Sequence, residues 1–448
     1  MIACSARPFR LFALFLTLVV SCKNKNDFGG WEQYNGSNEG IHYSSLTQVD
    51  TNNVKELKPA WEYHTLDADS SSHSQIQCNP IVVNEVLYAV SPKLKLFALA
   101  ASTGKEQWHF DPFKNDKKKS NNLNSCRGVT WFEDGSGNQR IFFTAGSSLF
   151  SIDAKTGMPD SSFGKGGKVD LHEGLGRDVA NLYVTSTSPG IIYKDLLVVG
   201  TRVNEANPAA PGHVRAYDTK TGEIRWIFHT IPQPGEKGYE TWDDPLAYTF
   251  TGGANVWSGF SLDEKRKLLF ACTGSASFDF YGGKRKGNNL FANCVLALDA
   301  ETGKLKWHYQ VIHHDVWDRD IPSAPVLISI DANGTKKDAV AITTKHGFVF
   351  VLDRETGKPV YQIDEAPVPA VSDLQGEKLS PTQPIPSKPA PFIRQLFTEK
   401  DINPLLGETD QAEIKSRWAG YLKDNMWTPA SLQGTIFLPG LDGGAEWG

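Results

Sequence analysis

The stretch VLALDAETGKLKW, Val295 to Trp307, decides the fold. It reads as an apolar strand, an Asp-x-x-Thr-Gly turn and a second strand that reaches Trp307. In such a hairpin the Asp and Thr side chains bond the backbone and Gly supplies the positive φ. Four more segments repeat it: LFALAASTGKEQW (Leu96 to Trp108), LFSIDAKTG (Leu149 to Gly157), VRAYDTKTGEIRW (Val214 to Trp226) and FVFVLDRETGKPVY (Phe348 to Tyr361). Their Thr-Gly pairs begin at residues 103, 156, 221, 302 and 356, so the spacings are 53, 65, 81 and 54 residues. Further period-2 apolar runs, Ile81 to Val90, Ile192 to Gly200 and Leu268 to Thr273, fill the intervals. A unit of several antiparallel strands repeated around an axis is a β-propeller, with Trp as a plug between neighbouring blades. The repeat residues build blades and carry no chemistry.

Composition agrees with a large all-β chain. The 448 residues are 40% apolar, 22% charged and 11% aromatic, with a net charge of −5 and a pI near 6.1. Length alone suggests two or three domains, but 12 Trp and 40 Gly favour one all-β fold. A mildly acidic balance without a basic stripe argues against nucleic acid as a partner. Lys117 to Lys119 read as a solvated loop. Gly164 to Gly167 lack dinucleotide-binding spacing, and no phosphate-loop motif occurs, so NAD and ATP are not expected.

The N-terminus reads as an export signal. Arg7 and Arg10 precede the apolar run Leu11 to Val20, which ends at Val19-Val20-Ser21-Cys22. That ending resembles a bacterial lipobox, which makes residues 1–22 a lipoprotein signal and places the protein on the periplasmic side of a membrane through a lipid on Cys22; a plain signal peptide cut nearby is the alternative. Cys78, Cys126, Cys272 and Cys294 remain, and disulfides among them stay open. No Cys-x-x-Cys-His is present for covalent haem. Surplus loop length falls at residues 252–257 and 275–289. A Pro-rich connector follows Asp364, and Phe397 to Lys423 has helical spacing, as an insertion on the propeller face.

One segment stands apart: His313-His314-Asp315-Val316-Trp317-Asp318-Arg319-Asp320. Two His and three Asp in eight residues suit a metal, a general base or a salt-bridged corner. Lys345 follows Asp318 by 27 residues, among apolar strand ends where an ammonium needs an anionic partner.

With these residues in view the chain resembles the pyrroloquinoline quinone (PQQ)-dependent, or quinoprotein, dehydrogenases, especially the glucose-dehydrogenase-like branch. The shared motifs are Trp31-x-x-Tyr34-Asn35-Gly36, Tyr43 to Leu46, Ser125-Cys126-Arg127-Gly128-Val129, Thr187-Ser188-Pro189, Gly253 to Trp257, Phe291-Ala292-Asn293, the His313 to Asp318 segment and Ser380 to Pro384. The resemblance covers nearly everything after residue 30, and residues 23–448 are the expected PQQ-binding propeller.

The resemblance implies an eight-bladed propeller that holds PQQ near its axis beside Ca²⁺. Asp318 corresponds to the catalytic carboxylate and Lys345 to the cation beside the quinone oxygens. Gln77, Arg127 and Thr187 fall on the acidic rim of PQQ, joined by Arg202; Trp257 falls on its plane, and Trp447 is added to the cofactor group. Glu205, Ser275 and Asp318 take metal positions. The implied reaction is oxidation of an alcohol or an aldose such as glucose, with electrons passed to a quinone or cytochrome. The chain departs from the family in having no adjacent cysteines, and Lys93 or its neighbours stand where the glucose branch has His. It stops at Gly443 to Gly448 inside what reads as a blade, so the propeller is expected to be incomplete in this chain. The rival reading is a non-catalytic lipoprotein scaffold of the outer-membrane protein assembly type, with similar repeats but without Arg127, Trp257, Asp318 and Lys345. A sugar- or polymer-binding propeller would keep Trp257 without needing Asp318.

Overall fold

The computed structural model describes residues 29–69, 74–114, 125–332 and 334–447. The signal-peptide and Cys22 readings, and the Lys117 to Lys119 loop, lie outside the described residues. Among the described residues no helix is long and apolar enough to cross a membrane.

The repeat segments become five antiparallel sheets in chain order. Four have four strands each: Ile81–Phe110, Thr130–Asp170, Ile191–Phe228 and Phe260–Gln310; the fifth, Val326–Asp353, has three. They are the blades of the propeller.

Strand alternation explains how they stack. In the third blade Leu196 and Val198 join the core shared with the fourth blade, while Leu197 and Val199 join the core shared with the second. The fourth blade divides the same way, Leu269 and Ala271 facing back and Leu268 and Phe270 facing on to the fifth. A strand buried on both faces reads as a continuous apolar run although its side chains alternate.

The Trp plugs lie where the repeat predicts. An added Cβ on Gly157, Gly303 or Gly357 would fall 2.5–2.6 Å from the indole of Trp108, Trp226 or Trp307, each from the preceding blade. Trp307 also donates from Nε1 to the Arg354 carbonyl at 3.1 Å. The turns are tied as expected: in the fifth blade Asp353 Oδ1 accepts from the Thr356 amide at 2.9 Å and its hydroxyl at 2.7 Å. Gly357 has φ +69° and a ring against its α-carbon. Gly357→Ala is therefore expected to cost about 1–3 kcal/mol, through backbone strain and displacement of Trp307. Chemical denaturation checks this; an unchanged midpoint would contradict the plug.

Two connectors complete the chain. The Pro-rich stretch contains a two-stranded ribbon, Ile363–Pro367 with Thr382–Pro386, where prolines sit on a strand pair without a central position. The helical segment is a single α-helix, Glu408–Gly420, with no buried residue.

At the hub, residues 31–39 run across the blades. The Trp31 carbonyl accepts from Val82, that of Asn38 from Leu262 and that of Glu39 from Leu327, so one strap ties the first, fourth and fifth blades. It brings Tyr34 against Gly128, beside Arg127.

Candidate functional site

The site is built from blade ends and the loops between them. Arg127 enters just before the second blade. Its amide donates to the Thr187 carbonyl at 2.7 Å and its Nη1 to Thr187 Oγ1 at 2.8 Å and the Trp257 carbonyl at 3.2 Å. Its guanidinium carbon lies 5.1 Å from the Trp257 ring and 4.2 Å from the Trp447 ring, so the cation faces two indoles. Its buried Nε has no partner among the described residues. Burial pushes Arg127 down to about 10, with the positive charge of Arg202 adding and Tyr34 opposing.

Trp257 leads from this cation to the acids. Its Nε1 donates to Asp320 Oδ2 at 3.0 Å, and the other Asp320 oxygen accepts the Ser275 amide at 2.6 Å. Lys345 Nζ stands 3.8 Å from Asp320 Oδ2 and 3.1 Å from Asp318 Oδ2, with only 5% of the residue exposed. A continuous path therefore runs Arg127–Trp257–Asp320–Lys345–Asp318. Lys345 is the buried ammonium with an anionic partner that its neighbourhood demands.

The electrostatics follow from burial and crowding. Burial and the Asp320 carboxylate push Asp318 up to about 8, against the pull of Lys345. Asp279 is pushed up to about 10 by burial and by Asp320, Asp318 and Glu205, with Arg285 opposing. Burial would lower Lys345, but Asp320 and Asp318 outweigh it and raise it. The acids are thus undercompensated by the protein's own cations. Asp318 is also held at φ +54°, a left-handed conformation that costs about 1–2 kcal/mol and fixes where its carboxylate points.

The His313 to Asp320 segment divides between its two readings. His314 Nε2 meets Glu377 Oε1 at 2.8 Å and its Nδ1 meets the Gly287 carbonyl at 2.7 Å, a buried corner. Asp315 accepts from the Ser275 hydroxyl, from Asn293 Nδ2 at 3.0 Å, and from the amides of Trp317 at 3.0 Å and Arg319 at 2.7 Å. Asp315 is spent on structure, and Asp318 is the acid that pairs with Lys345.

Arg127, Thr187, Trp257, Trp447, Asp318 and Lys345 are thus brought together. Arg202 is close enough to act on Arg127 and stands 3.8 Å from Glu205. Gln77 lies two residues before Asn79, whose amide donates to the Arg127 carbonyl at 2.8 Å; the buried Gln77 Oε1 has no partner among the described residues. The metal trio is not gathered. Glu205 has a side chain 67% exposed at the rim, and the Ser275 hydroxyl is turned to Asp315. Among the described residues no three His, Cys, Asp or Glu side chains stand at metal-holding distance.

Asp320, Asp279 and Glu446 were not foreseen as site residues. Asp320 lies inside the conspicuous segment, two residues from Asp318. Asp279, between Phe278 and Phe280, carried a signal in its apolar flanks. Glu446 comes in with the tail: the Gly444 amide donates to the Lys345 carbonyl at 2.8 Å, and a Cβ on Gly443 would fall 2.6 Å from Lys345 Cα. Only glycine lets the tail close on that lysine.

Residues 31–448 match the family described as PQQ: Glucose/ethanol/alcohol dehydrogenase, beta-propeller domain. The chain is 32% identical to quinoprotein glucose dehydrogenase A of Acinetobacter calcoaceticus, over 93% of this chain and 55% of that protein. It is 32% identical to the quinate/shikimate dehydrogenase (quinone) of Acinetobacter baylyi, over 93% and 54%. The solved quinohemoprotein alcohol dehydrogenase ADHIIG from Pseudomonas putida superposes with a TM-score of 0.68 at 25% identity, over 94% of this chain and 55% of that one. The chain spans about half the length of the curated relatives it matches.

Proposed function

Since the chain belongs to the PQQ-dependent glucose/ethanol/alcohol dehydrogenase β-propeller family, we propose that it supplies the cofactor-gripping face of a dehydrogenase for alcohols or aldose sugars. The observation that carries this is the unbroken run Arg127–Trp257–Asp320–Lys345–Asp318. A scaffold of the outer-membrane assembly type has no use for it, and a binding-only propeller has no use for a buried Asp318–Lys345 pair.

The residues suit PQQ, a flat tricyclic quinone with three carboxylates. Arg127 offers a buried N–H without a partner among the described residues, beside two indole faces, and Arg202 adds charge near it. Thr187 borders the same cation, and Gln77 lies two residues before Asn79, which is tied to the Arg127 backbone. Bound there, PQQ supplies a quinone that accepts two electrons as hydride. Asp318, Asp320 and Asp279 are the hard oxygen donors that Ca²⁺ takes and crowd one another, but among the described residues no three such side chains stand at metal-holding distance.

The chain's own residues then divide the work. Asp318, in its ionised form and paired with Lys345, accepts the hydroxyl proton of the substrate. Lys345 holds positive charge where oxyanion character develops and keeps Asp318 in line. Trp257, pinned by Asp320, orients a planar partner, while the 443–447 tail screens Lys345 from water. Electrons leave to a quinone or cytochrome.

Protein supplied with PQQ and Ca²⁺ is expected to gain the quinone absorbance and to reduce an artificial dye with an alcohol or aldose. Inertness across both substrate classes, with PQQ bound, would overturn the reading. Anchoring on the periplasmic side of a membrane through Cys22 is a separate part of the proposal: Cys22→Ser is expected to move the protein from the membrane to the soluble fraction, and continued retention would refute the lipid anchor.

A further inference from the structure

Gly128 follows Arg127, yet its backbone lies outside the left-handed region that calls for glycine. What requires glycine there is space: a Cβ would fall 2.5 Å from Cδ2 of Tyr34 and 3.3 Å from Cγ of Pro189. The Tyr34 ring, 9% exposed, therefore rests directly on the backbone that carries Arg127. The strap holds the ring in that place from both sides. Before Tyr34, the Trp31 carbonyl accepts from Val82 at 2.8 Å; after it, the carbonyls of Asn38 and Glu39 accept from Leu262 at 2.7 Å and Leu327 at 2.8 Å.

Arg127 depends on that support. Its amide and carbonyl are tied to Thr187 and Asn79, and its guanidinium to the Thr187 hydroxyl and the Trp257 carbonyl, all neutral groups. Just past Gly128 the chain borders a hollow of about 600 Å³ between the strap and the first strands of the second, third and fourth blades. Tyr34, Val129, Thr130, Pro189, Ile191 and Phe260 are among its walls. On that side the Arg127 turn meets open space and the Tyr34 ring rather than packed core. The phenol also lies within electrostatic reach of the guanidinium. Arginine is rich in rotamers, and a fork fixed before a ligand arrives holds a carboxylate more tightly than one ordered on binding.

From this we infer that Tyr34 is a positioning residue for the cofactor grip: the strap presses its ring on Gly128 and so fixes where Arg127 meets an anionic edge of PQQ. The identity of the ligand rests on the dehydrogenase reading, whereas the placement of Arg127 rests on the strap alone. Tyr34 acts through Arg127 and has no part in proton or hydride transfer.

Hydrogen exchange read by mass spectrometry on the protein without PQQ tests the placement. In Tyr34→Ala the peptides that carry the Arg127 and Asn79 amides are expected to exchange about tenfold faster, while the fourth-blade strand Cys294–Asp299 keeps the parent rate. Tyr34→Phe keeps the ring and is expected to match the parent. Gly128→Ala puts a methyl where the ring lies, so it should repeat the fast exchange and serves as the test where Tyr34→Ala does not fold. Equilibrium dialysis against PQQ gives the second readout. Tyr34→Ala is expected to weaken PQQ binding about tenfold, but less than about twofold in an Arg127→Gln background, since the two residues act as a unit. A brace that only stabilised the fold would give the same loss in both backgrounds. Parent-like exchange in both Tyr34→Ala and Gly128→Ala, or equal PQQ losses with and without Arg127→Gln, overturns the inference. Fast exchange in a protein that binds no PQQ supports the placement of Arg127 and overturns the dehydrogenase reading alone.

Discussion

Asp318→Asn is expected to leave PQQ absorbance after loading intact while turnover with any substrate falls about 10²–10⁴-fold, the range that a positioned general base contributes. The amide keeps the shape and the approach of Lys345 but cannot accept the hydroxyl proton. Because the interactions of Asp318 with a substrate hydroxyl arise mainly as the proton moves, the loss should fall on kcat more than on KM. The same variant carries a stability signature of opposite sign. Asp318 is pushed up to about 8 from the ordinary carboxylate value of 3.8 by burial and by Asp320. In the pH window between those values the folded state binds more protons than the unfolded one, so Asp318 makes stability fall as pH rises through it. With a chelator present, Asp318→Asn should therefore be more stable than the parent near pH 8, by about 0.5–2 kcal/mol, and should lose that advantage near pH 4. A variant with unchanged kcat would move the base elsewhere, and one that is less stable at pH 8 would show that Asp318 is a structural acid.

What could be read from the chain beforehand sorts by physical range. The blade repeat was legible because its causes are local: Asp353, Thr356 and Gly357 make one turn within five residues, and the Trp307 that rests on Gly357 repeats with the same period. Arg127, Trp257, Asp318 and Lys345 were legible through specific motifs, and folding brings them to one place. Ser275 was assigned by correspondence alone, and the packing of the fourth blade decides otherwise: its hydroxyl lies against Asp315, buried with Asn293. Nothing near Ser275 in sequence announces a partner 40 residues on. Asp320 has the opposite history. Its sequence neighbourhood was conspicuous, but its role depends on Trp257, 63 residues earlier, and that contact exists only once the fourth blade has closed. Glu205 falls on a loop whose direction the strand pattern does not set, which left its 67% exposed side chain unforeseen.

Asp315→Ala is expected to do the reverse of Asp318→Asn, destabilising the protein by about 3–5 kcal/mol, the cost of removing one partner from a buried charged network. Asp315 is 2% exposed, and its two oxygens accept four hydrogen bonds: from Ser275, Asn293, and the amides of Trp317 and Arg319. Without it, those two amides lose their acceptor, Asn293 loses one of its acceptors, and Arg319 loses a neighbouring negative charge where its Nε and Nη2 already lack partners among the described residues. Asp315→Asn separates the two contributions. It keeps one acceptor oxygen and restores volume, so it should recover only part of the stability, whereas it would recover nearly all of it if the cavity left by alanine were the whole effect. A thermal melt distinguishes the cases. Since Asp318 hangs from the loop that Asp315 ties down, the Asp315 variants that remain folded should show weaker PQQ retention and lower activity together, unlike the isolated loss of turnover at Asp318. Full stability in Asp315→Ala would mean that the corner is solvated and that the positive φ of Asp318 is held by the 443–447 tail instead.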